Sequence, residues 1–273
     1  MTINCKGNLI DLTSPKVMGI LNVTPNSFFD GGKYADENSV LQQVEKMLVD
    51  GATFIDVGAY SSKPNAEFVS EDEEIERLLT VIELILKNLP ETLISVDTFR
   101  ANVAKKAIEN GACIINDISA GNLDENMLKT IAKLQVPYIM MHMKGNPQTM
   151  QSLAQYENIV KEMMFYFSEK VAQARSFGIN DLIIDPGFGF AKTLEQNFEV
   201  MNKLELFQIL EFPLLVGVSR KSMIYKTLQT NPEYALNGTT ALHMVALQNG
   251  ANILRVHDVK EAVECVKLFE LIK

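Results

Sequence analysis

Polar and charged residues stand directly after short apolar runs along the chain, where the strands of a parallel sheet would end. Two of these runs close on aspartates and two on asparagines, and later segments carry a lysine, an arginine and a histidine. The residues are Asn22, Asp97, Asn116, Asp185, Lys221, Arg255 and His257. Carboxylates and amides suit the edge of a nitrogen heterocycle, whereas the basic side chains suit a phosphorylated group. The two halves of the set therefore predict two different parts of a ligand.

The two aspartates have different local settings. Asp185 precedes a proline, which holds it extended and out of a helix, and the following glycines let a ligand approach the backbone closely. Asp97 has two interpretations. Either it caps the next predicted helix, or Thr98 caps that helix and leaves Asp97 free to face a site.

The basic residues follow the last two predicted strands. Residues 219–222 (SRKS) enter a helix, where positive charge opposes the helix dipole, and an anionic or electron-rich ligand would explain their presence. Arg255 and His257 alternate, so both can point to one side of a strand. Together with Lys63 from an earlier loop, they could bind a phosphate or a pyrophosphate.

Three other segments have open interpretations. Phe28 and its neighbour Phe29 either pack within their loop or form a lid over a flat substrate. Lys63 is either solvated or an anion contact. The acidic residues 71–74 favour the N-terminus of a helix, and we expect that turn to be solvated.

Eight apolar runs alternate with amphipathic segments, and together they set the architecture. The predicted strands are residues 17–21, 53–58, 93–97, 113–116, 137–141, 182–185, 214–217 and 252–256. The predicted helices are residues 38–50, 70–89, 100–110, 125–134, 153–177, 195–204, 222–228, 233–248 and 259–272. Such runs are typical of parallel strands covered on both faces. Eight units in 273 residues favour an α/β fold, a closed (β/α)8 TIM barrel formed by a single domain over residues 1–273.

Composition narrows the class of protein. A net charge of −9 argues against nucleic acid as a partner, because a phosphate backbone needs a basic surface. No apolar run is long enough to span a membrane. The three cysteines are far apart and the N-terminus has no signal-like apolar core, so we expect reduced thiols and a cytoplasmic location.

Several segments, in order, resemble dihydropteroate synthase, the folate-pathway enzyme family inhibited by sulfonamides. They are residues 18–28 (MGILNVTPNSF), 95–100 (SVDTFR), 116–118 (NDI), 141–142 (MH), 185–190 (DPGFGF), 217–222 (GVSRKS) and 255–257 (RVH). The resemblance covers nearly the whole chain. It implies a transferase that condenses 7,8-dihydropterin-6-ylmethyl diphosphate with 4-aminobenzoate, giving 7,8-dihydropteroate and pyrophosphate, and it implies a homodimer.

The resemblance also implies a role for each matching residue. The expected pterin contacts are Asp97, Asn116, Ile118, Met141, Asp185, Gly217 and Lys221, of which Asp97, Asp185 and Lys221 are expected to be catalytic. The expected diphosphate contacts are Asn22, Lys63, Arg255 and His257, with Asn22 also holding a Mg²⁺ cofactor. The expected aminobenzoate contacts are Phe28, Ser62, Lys63, Pro64, Phe190 and Ser222.

The chain departs from the family pattern in its second loop. Tyr60-Ser-Ser-Lys-Pro64 replaces the usual Glu-Ser-Thr-Arg-Pro, and Asn26 stands where the family more often has aspartate. Two alternatives to the synthase share the pterin-facing residues: a barrel that passes a methyl group between a folate and a corrinoid protein, and a non-catalytic pterin-binding paralogue.

Overall fold

The computed structural model describes residues 1–23, 33–60 and 69–272. Eight parallel strands form one sheet. They are β3 (Lys16–Asn22), β4 (Phe54–Gly58), β5 (Ile94–Asp97), β6 (Ile114–Asp117), β7 (Tyr138–Met141), β8 (Leu182–Asp185), β9 (Leu215–Val216) and β10 (Ile253–Val256). Their order across the sheet is β8-β7-β6-β5-β4-β3-β10-β9. A parallel bridge from Ile184 to Leu214 joins the two ends of the sheet. The sheet therefore closes, and the prediction of a (β/α)8 barrel is confirmed.

Helices cover the outside of the barrel. They are α1 (Lys33–Val49), α2 (Glu71–Asn88), α3 (Ala101–Glu109), α4 (Met127–Leu134), α5 (Ile159–Ser176), α6 (Leu194–Asn202), α7 (Ser222–Thr227), α8 (Leu236–Gln248) and α9 (Val259–Ile272). Helix α2 shows why they form: Ser70 caps its first turn, and Leu78, Val81, Ile82 and Ile85 are buried at helical spacing. The helices leave their polar faces to solvent and place the loops after the strands around one rim.

Three of the predicted helices are wrong at their N-terminal ends. Helix α1 begins at Lys33 and not at residue 38. Residues 153–177 do not form one helix, because a 3-10 turn at Met150–Leu153 precedes α5, whose cap is the Asn158 side chain. Residues 233–248 divide into a 3-10 turn at Pro232–Tyr234 and helix α8. Helix ends depend on caps and turn residues, and the spacing of the apolar residues does not reveal where these lie.

An antiparallel hairpin that the sequence patterns did not predict covers the other end of the barrel. Strands β1 (Thr2–Cys5) and β2 (Asn8–Asp11) meet at Lys6 and Gly7, which have φ values of 53° and 87° and so form a tight hairpin turn. Ile3, with the inward residues of the barrel strands, packs into one apolar cluster. The amide of Asn4 also donates to Asp181, just before β8, at 2.9 Å. This end is filled, so the opposite rim is where a ligand can enter.

The described residues include all three cysteines, and each is buried and outside any disulfide. This agrees with the expectation of reduced thiols. Across the described ranges, no helix has both the length and the apolar character that crossing a membrane requires.

Candidate active site

Four of the predicted site residues lie on or beside a single row across the carboxyl ends of neighbouring strands. In the strand register, Asn22 is opposite Gly58, Gly58 is opposite Asp97, and Asp97 is opposite Asn116. Asp185 ends β8 and is opposite Met141 of β7. Parallel strands bring all these ends to the same rim, which is where α/β barrels carry their chemistry.

Arg255 ties this row together from β10. Its Nε donates to Oδ2 of Asp56 at 2.6 Å, and its Nη2 donates to Oδ2 of Asp97 at 2.8 Å. Nδ2 of Asn116 donates to the same Asp56 oxygen at 3.0 Å. Burial works to lower the pKa of Arg255, but the charges of Asp56 and Asp97 outweigh it and raise that pKa above its ordinary value. Arg255 is therefore a fixed cation, held among the carboxylates.

Asp56 is a site residue that the sequence prediction omitted. It is fully buried in the middle of β4, and its Oδ1 has no hydrogen-bond partner among the described residues. A signal was present: the aspartate interrupts an apolar strand two residues before Gly58, so the two residues share the inward face. What the sequence could not supply was its partner, because Arg255 is 199 residues away.

Neither Asp97 nor Thr98 caps the next helix, so both predicted caps are wrong. The amide of Ala101 in the first turn of that helix donates to Asp124 at 2.7 Å. Asp97 nevertheless faces the rim, as its second interpretation expected. The residue at the N-cap of α3 is Arg100, without a side-chain cap bond. Oγ1 of Thr98 accepts from the amide of Arg100 at 3.2 Å and donates to Glu74 at 2.7 Å. Asp97 is thereby left facing the rim, where burial raises its pKa against the opposing charge of Arg255.

The solvated turn expected at residues 71–74 is wrong for its last residue. Glu74 is fully buried and accepts from Thr98 and Arg100, since α2 turns this side chain inward toward the loop after β5. Arg100 also donates to the carbonyl of Val69 at 2.9 Å and lies 5.6 Å from the ring centre of Tyr60. One guanidinium thus contacts both residues that flank segment 61–68.

Asp185 has a different environment from Asp97. Its Oδ1 accepts from the amide of Gly187 at 2.7 Å. Burial raises the pKa of Asp185, whereas the nearby charge of Lys221 opposes that shift. Burial also lowers the pKa of Lys221 to about 8, with Asp185 acting in the opposite direction. Nζ of Lys221 donates to the carbonyl of Phe188 and lies 4.9 Å from the ring centre of Phe190.

An apolar wall stands beside the two aspartates. Ile118 and Met141 belong to a small buried cluster, and the half-buried Phe190 packs against it. Gly217 follows β9 beside Arg255, where an added Cβ would lie 3.9 Å from Cβ of Arg255. An apolar face next to hydrogen-bonding carboxylates and amides suits a flat, polar heterocycle.

The far side of the rim carries His257 and the start of α7. The backbone amide and Nδ1 of His257 are each 3.1 Å from Oγ of Ser219. Desolvation, followed by the charge of Arg255, lowers the pKa of His257 to about 4, so its imidazole is neutral at pH 7. Ser222 is the first residue of α7. Arg220 is engaged elsewhere, in two hydrogen bonds to Asp258 at 2.7 and 2.8 Å.

Four predicted contacts lie outside the described residues, namely Phe28, Ser62, Lys63 and Pro64. Their neighbours are described on one side of the rim: Tyr60 packs edge to face against Phe99, with ring centres 5.2 Å apart. The aromatic residue that replaces the family's usual glutamate is therefore held against the loop that follows Asp97.

Two side-chain oxygens near the end of β3 bear on the expected Mg²⁺ contact. An ideal Cβ on Gly58 would lie 3.9 Å from Oδ1 of Asn22 and 3.8 Å from Oδ2 of Asp97. The Asp97 oxygen already accepts from Arg255, which leaves Asn22 as the expected contact. Within residues 1–23, 33–60 and 69–272, no group of three His, Cys, Asp or Glu side chains could hold a metal by itself. Mg²⁺ suits a site of this kind, since it keeps several waters and binds through few protein oxygens together with substrate phosphates.

The fold and the rim define an α/β barrel enzyme that binds a small heterocyclic ligand. The sequence pattern of the family described as pterin binding enzyme matches residues 18–257. The dihydropteroate synthase of Escherichia coli K12 is 42% identical over 272 residues, covering 99% of this chain and 96% of that protein.

Two solved structures extend the similarity to three dimensions. The Yersinia pestis dihydropteroate synthase in a sulfonamide drug complex has a TM-score of 0.93 at 39% identity, covering 100% of this chain and 99% of that one. The Xanthomonas albilineans dihydropteroate synthase with 4-aminobenzoic acid has a TM-score of 0.91 at 35% identity, covering 99% and 97%. The chain belongs to the dihydropteroate synthases of the pterin binding enzyme family.

Proposed function

We propose that this enzyme joins 7,8-dihydropterin-6-ylmethyl diphosphate to 4-aminobenzoate, giving 7,8-dihydropteroate and pyrophosphate. The observation that carries the proposal is the rim itself, where Asp97, Asn116 and Asp185 converge beside Lys221 and an apolar wall. Family membership and the 4-aminobenzoic acid bound by the Xanthomonas albilineans relative support the same pair of substrates.

The pterin contacts follow from the free hydrogen-bonding capacity of the rim. Asp185 uses Oδ1 for the Gly187 amide and keeps acceptor capacity for the N–H groups of an amino-pyrimidinone edge. Asn116 gives its amide N–H to Asp56, which turns its own oxygen toward a ring N–H. Lys221 donates to a ring acceptor, and Ile118 and Met141 contact the ring face. Gly217 leaves space beside Arg255.

The reaction breaks the bond between the methylene carbon and the diphosphate oxygen, whose electron pair leaves with pyrophosphate. A delocalised pterin cation remains, and Asp97 and Asp185 stabilise its developing positive charge. Arg255 and Lys63, with the neutral His257 as a hydrogen-bond partner, stabilise the departing anion. A Mg²⁺ ion held by Asn22 would supply further charge neutralisation at the diphosphate oxygens.

The arylamine nitrogen then forms the new C–N bond and gives up a proton to the released pyrophosphate or to water. That nitrogen is already neutral at pH 7, so the rim needs no strong general base. We place Phe28, Ser62, Lys63, Pro64, Phe190 and Ser222 around the aminobenzoate. Phe190 and Ser222 belong to the described residues of this set. The ring centre of Phe190 is 4.9 Å from Nζ of Lys221, and Ser222 directly follows Lys221 in the chain.

We further propose that residues 1–273 form one domain, that two copies form a homodimer through the barrel helices, and that the enzyme works in the cytoplasm. The dimer is supported by exposed apolar side chains on and next to α7, α8 and α9, including Leu228, Tyr234, Val245 and Leu271. The unpaired, buried thiols are consistent with a reducing compartment.

The test is product formation from purified protein, pterin diphosphate, 4-aminobenzoate and Mg²⁺. We expect dihydropteroate and pyrophosphate in equal amounts. If neither forms while the Escherichia coli enzyme is active in parallel, the proposed reaction is wrong. Methyl transfer from methyltetrahydrofolate would favour the methyltransferase alternative, and tight pterin binding without any turnover would favour the paralogue.

A further inference from the structure

Two lysines bind backbone carbonyls of the segment that follows Asp185. Nζ of Lys192 donates to the carbonyl of Gly187 at 2.9 Å and to that of Phe190 at 3.0 Å. Nζ of Lys221 donates to the carbonyl between them, that of Phe188. Three of the four carbonyls in residues 187–190 are therefore held by ammonium groups that approach from two sides.

The third N–H of Lys192 also has a partner. Nζ of Lys192 is 3.2 Å from Nδ1 of His142, and both side chains are almost fully buried. Burial, followed by the charges of Lys192 and Lys144, lowers the pKa of His142 well below its ordinary value, so its ring is neutral and can accept. Three donors of one ammonium thus meet three acceptors.

This arrangement is costly for stability alone. Burial lowers the pKa of Lys192 to about 7, against the favourable charge of Asp185, which records the cost of placing an ammonium group here. An apolar side chain of similar length would fill the same space, but it would donate no hydrogen bond to the carbonyls of residues 187 and 190. The lysine therefore fixes this turn in a way that packing alone would not.

The segment that Lys192 holds is part of the rim. The amide of Gly187 fixes Oδ1 of Asp185 at 2.7 Å, so any movement of that peptide moves the carboxylate. Gly187 has φ 67°, and an added Cβ would clash with the carbonyl oxygen of His142, so the turn passes close to the backbone of the loop after β7. Phe190, at the other end, lies against the Lys221 ammonium.

We propose that Lys192 is a positioning residue, which orients Asp185 and Phe190 for the pterin by holding the carbonyls of residues 187 and 190. Lys192 acts through the turn, without touching substrate. The proposal rests on the proposed function of the same rim, since it assigns the pterin as the ligand for which the turn is held.

The experiment compares Lys192→Met, Lys192→Arg and a matched destabilised control, Ile85→Ala, which removes fully buried side-chain volume from α2 far from the rim. Binding of 6-hydroxymethylpterin is measured by pterin fluorescence, without interference from tryptophan because the chain has none. We expect Lys192→Met to bind roughly tenfold more weakly, as one or two unmade hydrogen bonds to the pterin predict. Its Tm should also fall, because the acceptors that Lys192 served lose their donor. Lys192→Arg keeps charge and N–H donors and recovers part of the affinity.

Ile85→Ala should lower the Tm and leave the affinity for 6-hydroxymethylpterin unchanged. Hydrogen exchange of the amides of residues 187–191, measured without ligand, should be faster in Lys192→Met and unchanged in the control. Unaltered affinity together with unaltered exchange in Lys192→Met overturns the proposal, and so does an arginine variant that binds more weakly than the methionine variant.

A second pair of variants covers the case in which Lys192→Met does not fold. His142→Asn keeps an acceptor near Nζ of Lys192, and His142→Leu removes it. The leucine variant alone should therefore lose pterin affinity and protection from hydrogen exchange, and equal behaviour of the two variants overturns the proposal.

The exchange readout also separates this proposal from the proposed reaction. A wild-type protein that binds 6-hydroxymethylpterin and makes no dihydropteroate contradicts the reaction, while the comparison of variants still decides the role of Lys192.

Discussion

Asp97 and Asp185 end strands on the same rim, yet the groups that surround their carboxylates differ. Asp97 is in an ion pair with Arg255, with 2.8 Å between Oδ2 and Nη2. In the described part of the chain, no cation lies within ion-pair distance of Asp185, whose side chain accepts only the Gly187 amide. Burial raises the pKa of both carboxyls. The charge of Asp97 is therefore compensated by an ion pair in the free enzyme, whereas the charge of Asp185 has no ion-pair partner there and is available to a ligand.

The largest effect on activity should follow from removing the charge of Asp185, the aspartate without an ion-pair partner. We expect Asp185→Asn to lower kcat/KM by about 10²–10³, the usual loss when one group that stabilises developing charge is removed. Steady-state kinetics with both substrates varied would measure it. The circular dichroism spectrum should stay unchanged, and an unchanged kcat/KM would remove Asp185 from the proposed site.

Removing the charge of Asp97, the aspartate in the ion pair, should have a smaller effect on activity. In Asp97→Asn, Arg255 keeps Asp56 but loses half of its charge compensation. We expect kcat/KM to fall by roughly 10²-fold, because Asp97 no longer stabilises the developing positive charge. Steady-state kinetics in parallel with Asp185→Asn would measure it, and a loss larger than that of Asp185→Asn would contradict the difference between the two aspartates.

The comparison is sharpened by the pH dependence of stability. A carboxyl whose folded pKa is raised destabilises the fold above that pKa, and this penalty vanishes below the unfolded value near 3.9. We therefore expect Asp185→Asn to be more stable than wild type at pH 7. Its advantage should shrink as the pH falls toward 4. Urea midpoints measured between pH 4 and 8 would show it, and a constant difference would mean that Asp185 does not carry the penalty.

A buried histidine outside the rim should affect stability without affecting catalysis. His243 is almost fully buried in α8, its ring nitrogens have no partner among the described residues, and burial lowers its pKa to about 4. Wild type should lose stability as the pH falls from 6.5 toward 4, because the unfolded chain binds the proton more tightly. His243→Leu should lose less over that range and keep kcat/KM within about twofold, since the residue lies away from the rim. Equal acid sensitivity in the two proteins would contradict this.

The architecture and most of the rim could be predicted from local sequence. Each barrel strand is a short apolar run that ends in, or is directly followed by, a polar residue or glycine. Each of those ends reaches the rim because the strands are parallel. The N-terminal hairpin was not predicted because each of its strands has only four residues, too few for an alternating pattern to stand out. Helix starts such as Ile159 were missed because a cap, here Asn158, sets them.

The partners of the rim residues could not be predicted, for a physical reason. Asp56 and Arg255 meet only after the barrel closes, and no periodicity links positions so far apart. Glu74 and Lys192 look like solvated residues at the start of helices, and their burial depends on loops that fold over them. Sequence patterns predict which side chains reach the rim, whereas tertiary structure decides which charges are already compensated.

The most direct test of the difference between the two aspartates is the pH dependence of pterin binding. The dissociation constant of 6-hydroxymethylpterin would be measured between pH 5 and 7 for wild type and Asp185→Asn. We expect wild-type affinity to increase with pH, because only the ionised Asp185 can accept two ring N–H groups, and the variant to bind weakly at every pH. Equal affinity of the two proteins across this range would contradict the assignment of Asp185 to the pterin.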